Sequence, residues 1–515
     1  MKKIKYILLW AVIGATSLAS CDDFLNMQPT NSGNAATAIS TVTDAQYALN
    51  GIMRAMSSSS YYGRNMIMYA DGRGGDYTVP TNGYLLEQFF SYSISPTASS
   101  FAGFWESGFY IIMQINSLLE NIERLEADGA TGFAFYKGQA LTLRALVYFD
   151  LLRLYGLPYN YKPDSFGVPN ITTTLPADAQ PTRATVKENY TQIIADLTEG
   201  KTLLASDKKA KKSFPGYYAN VALQARVKLY MEDYAGALTA AEEVINDGVY
   251  TLYTPSNWVD SWTKQDGSES IFELGIDSES DLKTTSMSYL LMRREQKSGA
   301  NGNFTASCYF LDRLGEDTGD VRWGVMDSDP HTASINYTAD REEAYKALHG
   351  ASATVPAYVH QGSCYKYSGS TSLEGDGKET FTAVNIKIIR LSEVYLIAAE
   401  AALNSPAPNK TAAANYLNEI RKRAPSLAPA TTSTITDEMI LDERSKELYG
   451  EGHRFFDLIR KNKAVKYDDI TFGCPHAGRP GSEVDRTFGK IVLPISQSEI
   501  NANPAIKDQQ NEGYK

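Results

Sequence analysis

Apolar residues in this chain recur every three to four positions over long stretches, the signature of amphipathic helices. In 101–128 the positions Ile111, Ile115, Leu118, Leu119 and Ile122 fall on one helical face, and Asp128-Gly129 ends the run. A second helix is predicted over 134–155, stopped by Gly156-Leu157-Pro158, and a third over 185–205 with Val186, Tyr190, Ile193, Ile194 and Leu197 on its apolar side. The helical signal begins at Asp44.

From Gly216 to Gly248 the pattern reads as a helical hairpin. Ala222, Leu223, Val227 and Tyr230 mark the first helix, Glu232-Asp233 the break, and Tyr234-x-x-Ala237-Leu238 the start of the second. Alanines at these spacings let antiparallel helices approach closely, and the Tyr-x-x-Ala-Leu start is similar to the tetratricopeptide pattern. The segment 385–423 repeats the plan, with Leu391, Val394, Tyr395, Ala398 and Ala401 on one face and a turn at Asn404 to Asn409. The predicted fold is therefore mainly α: a tetratricopeptide-like solenoid of about four helix pairs. Between 249 and 384 the periodicity dissolves into short β-prone pieces such as Ser270-Ile271-Phe272-Glu273-Leu274. An irregular insert of that length in a compact chain is where ligand contacts are expected.

The first residues follow a different logic. Lys2, Lys3 and Lys5 precede an apolar run from Ile7 to Ala15, and Leu18-Ala19-Ser20 leads into Cys21. The run is about half of the roughly 20 residues a membrane span needs, so it reads as a lipoprotein signal with Cys21 as the acylated residue. Residues 1–20 are then the signal peptide, and 21–40, rich in Asn, Thr, Ser and Ala, a flexible tether. Residues 41–515 form one domain, with a helical scaffold over 41–248 and 385–460, the ligand-side insert over 249–384 and a packing segment over 461–515. Such a chain is lipid-anchored and faces the cell exterior.

Composition narrows the partners. A formal net charge of −11 argues against nucleic acid or anionic lipid as the main partner. There are 33 Tyr and 19 Phe against 5 Trp, and tyrosine suits both helix packing and sugar platforms. Apart from Cys21, the cysteines are Cys308, Cys364 and Cys474, so at most one internal disulfide forms. A Cys308–Cys364 bridge is one reading, and unpaired buried thiols the other.

Over 443–460 the chain reads Glu-Arg-Ser-Lys-Glu-Leu-Tyr-Gly-Glu-Gly-His-Arg-Phe-Phe-Asp-Leu-Ile-Arg, an ion-paired helix that Gly450 and Gly452 allow to bend. Here the sequence resembles the SusD/RagB family of surface lipoproteins. The likeness extends to Arg144-Ala-x-x-Tyr148-Phe149 with Tyr155-Gly156, to Arg390-Leu-Ser-Glu393 through Glu400, to Leu417-Asn-x-Ile-Arg421, and to Leu493-Pro494-Ile495 with Glu499 to Pro504 and Gly513-Tyr514. Ser496 stands where proline is usual, Phe455 where Trp is common, and Glu512 interrupts the usual ending. The resemblance implies four tetratricopeptide-like units on the outer membrane of Bacteroidetes. It also implies capture of glycans, or of peptides in some members, and delivery to a partner SusC-like TonB-dependent transporter without catalysis.

By the same resemblance, the ligand-facing loops hold Asp71, Arg73, Asp76, Tyr77 and Tyr84 on one side and Tyr289, Arg293, Asn301, Asn303 and Tyr337 on the other, with Trp323 beside the Asp320–Arg322 pair. Flat apolar rings for the C–H face of a sugar and planar polar groups for its hydroxyls are what such a site requires. Trp105, Trp258 and Trp262 are expected to pack inside. Signals for catalysis are poor. Gly200-Lys201-Thr202 lacks the first glycine of a phosphate loop, and the five histidines show no zinc spacing. A secreted glycoside hydrolase stays as an alternative, because that chemistry needs only two carboxylates at the right separation. No cofactor is expected, and the acid-rich loop from Asp277 to Asp281, a conceivable calcium site, matches no EF-hand spacing.

Overall fold

The computed structural model describes residues 39–79, 86–276, 278, 280–291, 302–328, 335–368, 381–469 and 478–515. Cys21, the leader and the tether up to residue 38 lie outside them. Helix α1 (Val42–Met56) starts at a capping box, in which the Thr41 hydroxyl accepts the Asp44 N–H at 3.1 Å and the Asp44 carboxylate accepts the Thr41 N–H at 2.9 Å. Short helices α2 (Asn65–Arg73) and α3 (Glu87–Ser91) follow, then the long α4 (Ser99–Ala127) and α5 (Ala134–Tyr155). Next come α6 (Val186–Leu204), α7 (Tyr217–Tyr230) and α8 (Tyr234–Asn246).

Helix α5 is buried along nearly its whole length, which explains why its apolar residues do not keep to one face. Its polar residues are satisfied internally: Arg144 bonds both oxygens of Asp196 on α6 at 2.8 and 2.7 Å and reaches Asn116 on α4 at 2.9 Å. The Tyr148 hydroxyl donates to the Ile171 carbonyl at 2.7 Å. The Arg144/Tyr148 motif is thus a clamp between helices. Gly138 lets α6 come close, since a Cβ there would lie 2.8 Å from Leu204 and 3.1 Å from the Gly200 carbonyl.

The insert supplies α9 (Met287–Leu291), α10 (Cys308–Gly315) and α11 (Ile335–His349). The scaffold then resumes with α12 (Leu391–Asn404), α13 (Lys410–Arg421), α14 (Asp437–Glu447), α15 (Arg454–Arg460) and α16 (Gln497–Ala502). Contacts run from α1 to α4, on through α5, α6, α7 and α8, then to α12 and α13. A stack of helix hairpins produces that order, and α12 packs on α8 although the whole insert separates them in sequence. Ser496, at the usual proline position, caps α16 by accepting the Glu499 N–H at 3.2 Å.

Among the described residues there are four antiparallel strand pairs, two of which tie the insert to the scaffold. β2 (Ser270–Leu274), predicted from sequence, pairs with β6 (Ile386–Arg390), closing the insert at its base. β1 (Tyr77–Thr78) pairs with β3 (Thr305–Ala306), β4 (Met326–Ser328) with β5 (Gln361–Cys364), and β7 (Val465–Lys466) with β8 (Glu483–Val484).

The charged 443–460 segment is two helices and a sharp corner. Gly450 and Gly452 have φ of +78° and +82°, a region that costs an L side chain roughly 1–2 kcal/mol. A Cβ on Gly452 would also sit 3.0 Å from the Ile67 Cα. Gly452→Ala is therefore expected to lower the unfolding free energy by about 1–2 kcal/mol or more, read from urea melts. Gly481→Ala, with open space around it, serves as the neutral comparison.

The corner aims the charges of this segment inward. Arg444 donates to Asp457 at 2.7 Å, and Arg460 bonds Glu400 on α12 at 2.5 and 2.7 Å. Glu447 accepts from Arg390 at 3.0 Å and pairs with Arg423, and Glu451 accepts from Arg390 at 2.7 Å and Lys366 at 2.9 Å. These ions are buried, and the apolar core surrounds them.

Candidate functional site

The structure corrects one side of the sequence-based site. Asp71, Arg73 and Tyr77, expected to face ligand, are 2%, 0% and 0% exposed. Asp71 accepts the Gly452 N–H at 3.0 Å, and burial pushes its carboxyl well above the usual range. The Arg73 guanidinium lies 4.6 and 4.0 Å from the ring centres of Tyr69 and Tyr92 and donates to the Lys490 and Ile491 carbonyls. Tyr77 stacks on Tyr449 at 4.3 Å. A polar loop residue defaults to solvent in a sequence reading; here each finds an internal partner supplied by the distant C-terminal segment. Asp76 is buried too, holding Arg313 at 3.0 Å and Ser445 at 2.6 Å, and Asn303 is fully buried.

Tyr84, Arg293 and Asn301 lie outside the described residues, as does the side chain of Tyr337. Tyr289 on α9 is half-buried, its ring 6.1 Å from that of Phe381. Trp105, Trp258 and Trp262 pack inside, as expected.

Trp323 is different, because it is half-buried in a short 3-10 turn over Val321–Val325 that is fixed from behind. Asp320 accepts the Arg322 N–H at 2.9 Å and pairs with its guanidinium, which runs on to Glu443 at 2.7 Å. The indole N–H donates to the Asp317 carbonyl at 3.2 Å. Burial alone would raise the Asp317 carboxyl, but N–H groups of Ser426 and Gly319 hold it below its ordinary value, and these bonds fix the residue whose backbone carbonyl holds the indole.

Next to Trp323 lies Tyr358, ring centres 5.6 Å apart and tilted by 36°. Tyr345 follows at 6.4 Å from Tyr358, and His349 stacks on Tyr345 at 4.3 Å. His349 and Asp312 bond at 2.5 Å. All of these side chains are half-buried or exposed. Arg341, buried on α11, holds the row in place by donating to Thr305 at 2.8 Å, Ala306 at 2.9 Å and the Val359 carbonyl at 3.3 Å. Gly315 makes room for Tyr358, since a Cβ there would fall 2.3 Å from its ring. The result is an anchored aromatic row in the insert, with the Asp312 carboxylate at its His349 end. Sequence reasoning named Trp323 as a candidate and did not name Tyr345, Tyr358 or His349; the one signal was the Tyr345/His349 spacing of four on a helix.

Other features are accounted for by packing. An apolar crevice between α5 and α15, lined by Leu152, Tyr190, Tyr230 and Phe456, has a volume of 30 Å³ and takes about one water. Cys308 and Cys364 are free buried thiols, which overturns the disulfide reading. Each has its own neighbours: Asp468 accepts the Cys308 N–H at 2.8 Å, while Cys364 sits beside Tyr77. Burial pushes both thiols up, and Cys474 lies outside the described residues. In the acidic 277–281 loop, Asp281 is paired with Arg54 at 3.0 Å, and Asp277 and Glu279 fall outside the described residues. Among the described residues no cluster of three or more His, Cys, Asp or Glu could hold a metal ion.

Comparison with known proteins agrees with this architecture. The profile of the SusD family matches residues 268–514, and that described as starch-binding associating with outer membrane matches 23–229. A SusD superfamily protein of Bacteroides thetaiotaomicron of known structure is 31% identical, with a TM-score of 0.76 over 92% of this chain and 100% of that one. SusD-like protein P38 of Formosa agariphila is 24% identical over 563 aligned positions, spanning 100% of both chains. The starch-binding protein SusD of B. thetaiotaomicron is 31% identical over 144 residues, 27% of this chain and 24% of that protein. With sequence and helical fold both matching across almost all of the described chain, the protein belongs to the SusD/RagB family.

Proposed function

We propose that the protein binds oligosaccharides at the cell surface and passes them, unaltered, to a SusC-like TonB-dependent transporter, held to the outer membrane by lipid on Cys21. The observation that carries the reading is the row Trp323–Tyr358–Tyr345–His349. Partly exposed rings on a rigid support accept the C–H faces of sugars, while Asp312 beside His349 can accept hydroxyl protons. The starch-binding relative and the starch-binding family profile support a glycan as the ligand class. Tyr289 with Phe381 offers a further half-buried ring pair of the same chemistry in the insert.

Affinity electrophoresis in gels containing neutral α- and β-glucans, followed by calorimetry on the retained glycan, tests the reading. Trp323→Ala/Tyr358→Ala is expected to weaken binding by about 2 kcal/mol or more, some thirtyfold, with the variant still folded by circular dichroism at the assay temperature. Undiminished retention of every glucan by that variant would dismiss the row as the site. The purified protein is expected to leave the bound polymer at its original length. Cys21→Ala is expected to abolish palmitate incorporation.

A further inference from the structure

Along the α5–α6 connection, a groove with a volume of 200 Å³ opens between residues 157–166 and the C-terminal segment. Its rings are Tyr161, Phe166 and Phe488, and Phe166 is 41% exposed. Two cations stand at it: the Arg486 guanidinium lies 4.6 Å from the Tyr161 ring centre and the Lys162 ammonium 5.3 Å from the same ring. Neither pairs with a carboxylate among the described residues. Asp485 feels the charge of Arg486 without pairing with it, being hydrogen-bonded to the Thr487 N–H and hydroxyl at 2.8 and 2.5 Å, and Glu512, which lines the groove, pairs with Lys515 at 2.5 Å.

A third cation lies directly beneath. Arg183, 5% exposed, sits 5.6 Å from the Phe166 ring centre. All its acceptors are neutral: the carbonyls of Gly167, Gln509, Tyr155 and Phe166 at 2.6 to 3.1 Å, and the Asn511 side chain at 3.0 Å. Burial pulls its pKa down to about 9, which leaves it charged at neutral pH. Elsewhere in this chain buried arginines meet carboxylates, as Arg144, Arg226, Arg322, Arg390 and Arg460 do. A buried charge without a counter-ion is costly, and Arg183, like Arg73, has instead a shell of neutral acceptors, so positive charge collects at this groove although the chain carries a net charge of −11.

We infer that this groove is a second binding site, for an anionic saccharide whose carboxylate or sulfate meets Lys162 and Arg486, which Tyr161 holds in place, while its ring lies on the exposed Phe166. The groove is smaller than the roughly 300–1,000 Å³ of drug-sized sites, so it takes a single charged sugar and its immediate neighbour. The acidic body around it repels a long polyanion, so short oligomers are bound in preference. This site is independent of the aromatic row in the insert.

Calorimetry on the purified full mature chain, with trigalacturonate as the carboxylate probe, a chondroitin sulfate tetrasaccharide as the sulfate probe and maltotriose as the neutral one, tests this. Wild type is expected to bind at least one anionic probe, more weakly as salt rises. Lys162→Ala/Arg486→Ala is expected to lose that binding by about tenfold or more, since both charge-assisted contacts are removed. Trp323→Ala/Tyr358→Ala is expected to keep it, which separates failure of this site from failure of the row. Absence of binding to both anionic probes, or equal binding by the groove variant, overturns the inference.

Discussion

Replacing Glu447 with Gln will lower the unfolding free energy by about 3–5 kcal/mol, the range found when one partner of a buried ion pair is removed. Glu447 is fully buried and faces three arginines: Arg390 at 3.0 Å, Arg423 in direct contact and Arg322 at 3.6 Å. Burial alone would raise its carboxyl, but Arg423, Arg390 and Arg322 together drive it far below the usual glutamate range, so it is ionised at any physiological pH. Neutralising it leaves the guanidiniums of three separate elements repelling one another in the core. The remaining acids, Glu269, Glu443 and Glu451, already have arginine partners. Urea melts of the variant and wild type measure the loss, with exposed Glu512→Gln as a comparison expected to stay within about 0.5 kcal/mol. A loss under 1 kcal/mol at position 447 would mean that the network redistributes its charge, contrary to this account.

That network marks the boundary between what the sequence discloses and what it hides. The helices over 101–128, 134–155 and 217–246 were legible because their signal is local: apolar residues three and four apart, and stop signals beside them. The acids and arginines of 443–460 were legible as an ion-paired element, yet Glu447 meets Arg390 and Arg423 across separations that no spacing rule reaches. The same limit explains Asp71, Arg73 and Tyr77. Their burial depends on Gly452, on the carbonyls of Lys490 and Ile491 and on Tyr449, all brought in by the far end of the chain. Trp323 could be singled out because an Asp-x-Arg pair flags its turn, whereas Tyr358 and Tyr345 come together only when Arg341 pins α11 against β3.

Stability is expected to fall steadily once the pH drops below about 6.5, and His453 starts the decline. Its imidazole is buried beside Glu393, with Nδ1 3.8 Å from the carboxylate. Burial, helped by Arg226 and Arg444 and opposed by Glu393 and Asp457, brings its pKa from 6.5 to about 4. The ring is therefore neutral in the fold at pH 7, and its contact with Glu393 is not an ion pair. Between pH 6.5 and 4 the unfolded chain takes a proton that the folded chain refuses, so the folded state is favoured in full above 6.5 and loses ground as the pH falls. At about 1.4 kcal/mol per pH unit the loss from this group is about 3 kcal/mol by pH 4. Glu393 extends it: despite burial, Arg226 and its neighbours hold that carboxyl at about 2 against an ordinary 4.5, so its contribution, again about 3 kcal/mol, drains between pH 4.5 and 2. Asp457, Glu443, Glu447 and Glu451 are lowered as well and act in the same direction. Asp71, Asp196, Asp442 and Glu499 are raised and oppose it, holding protons in the fold that the unfolded chain releases. Urea midpoints at pH 8, 7, 5.5 and 4.5 trace the balance. In His453→Gln the drop between pH 7 and 4.5 is expected to shrink by about 2 kcal/mol or more, whereas an identical drop in variant and wild type would assign the acid sensitivity to carboxylates alone.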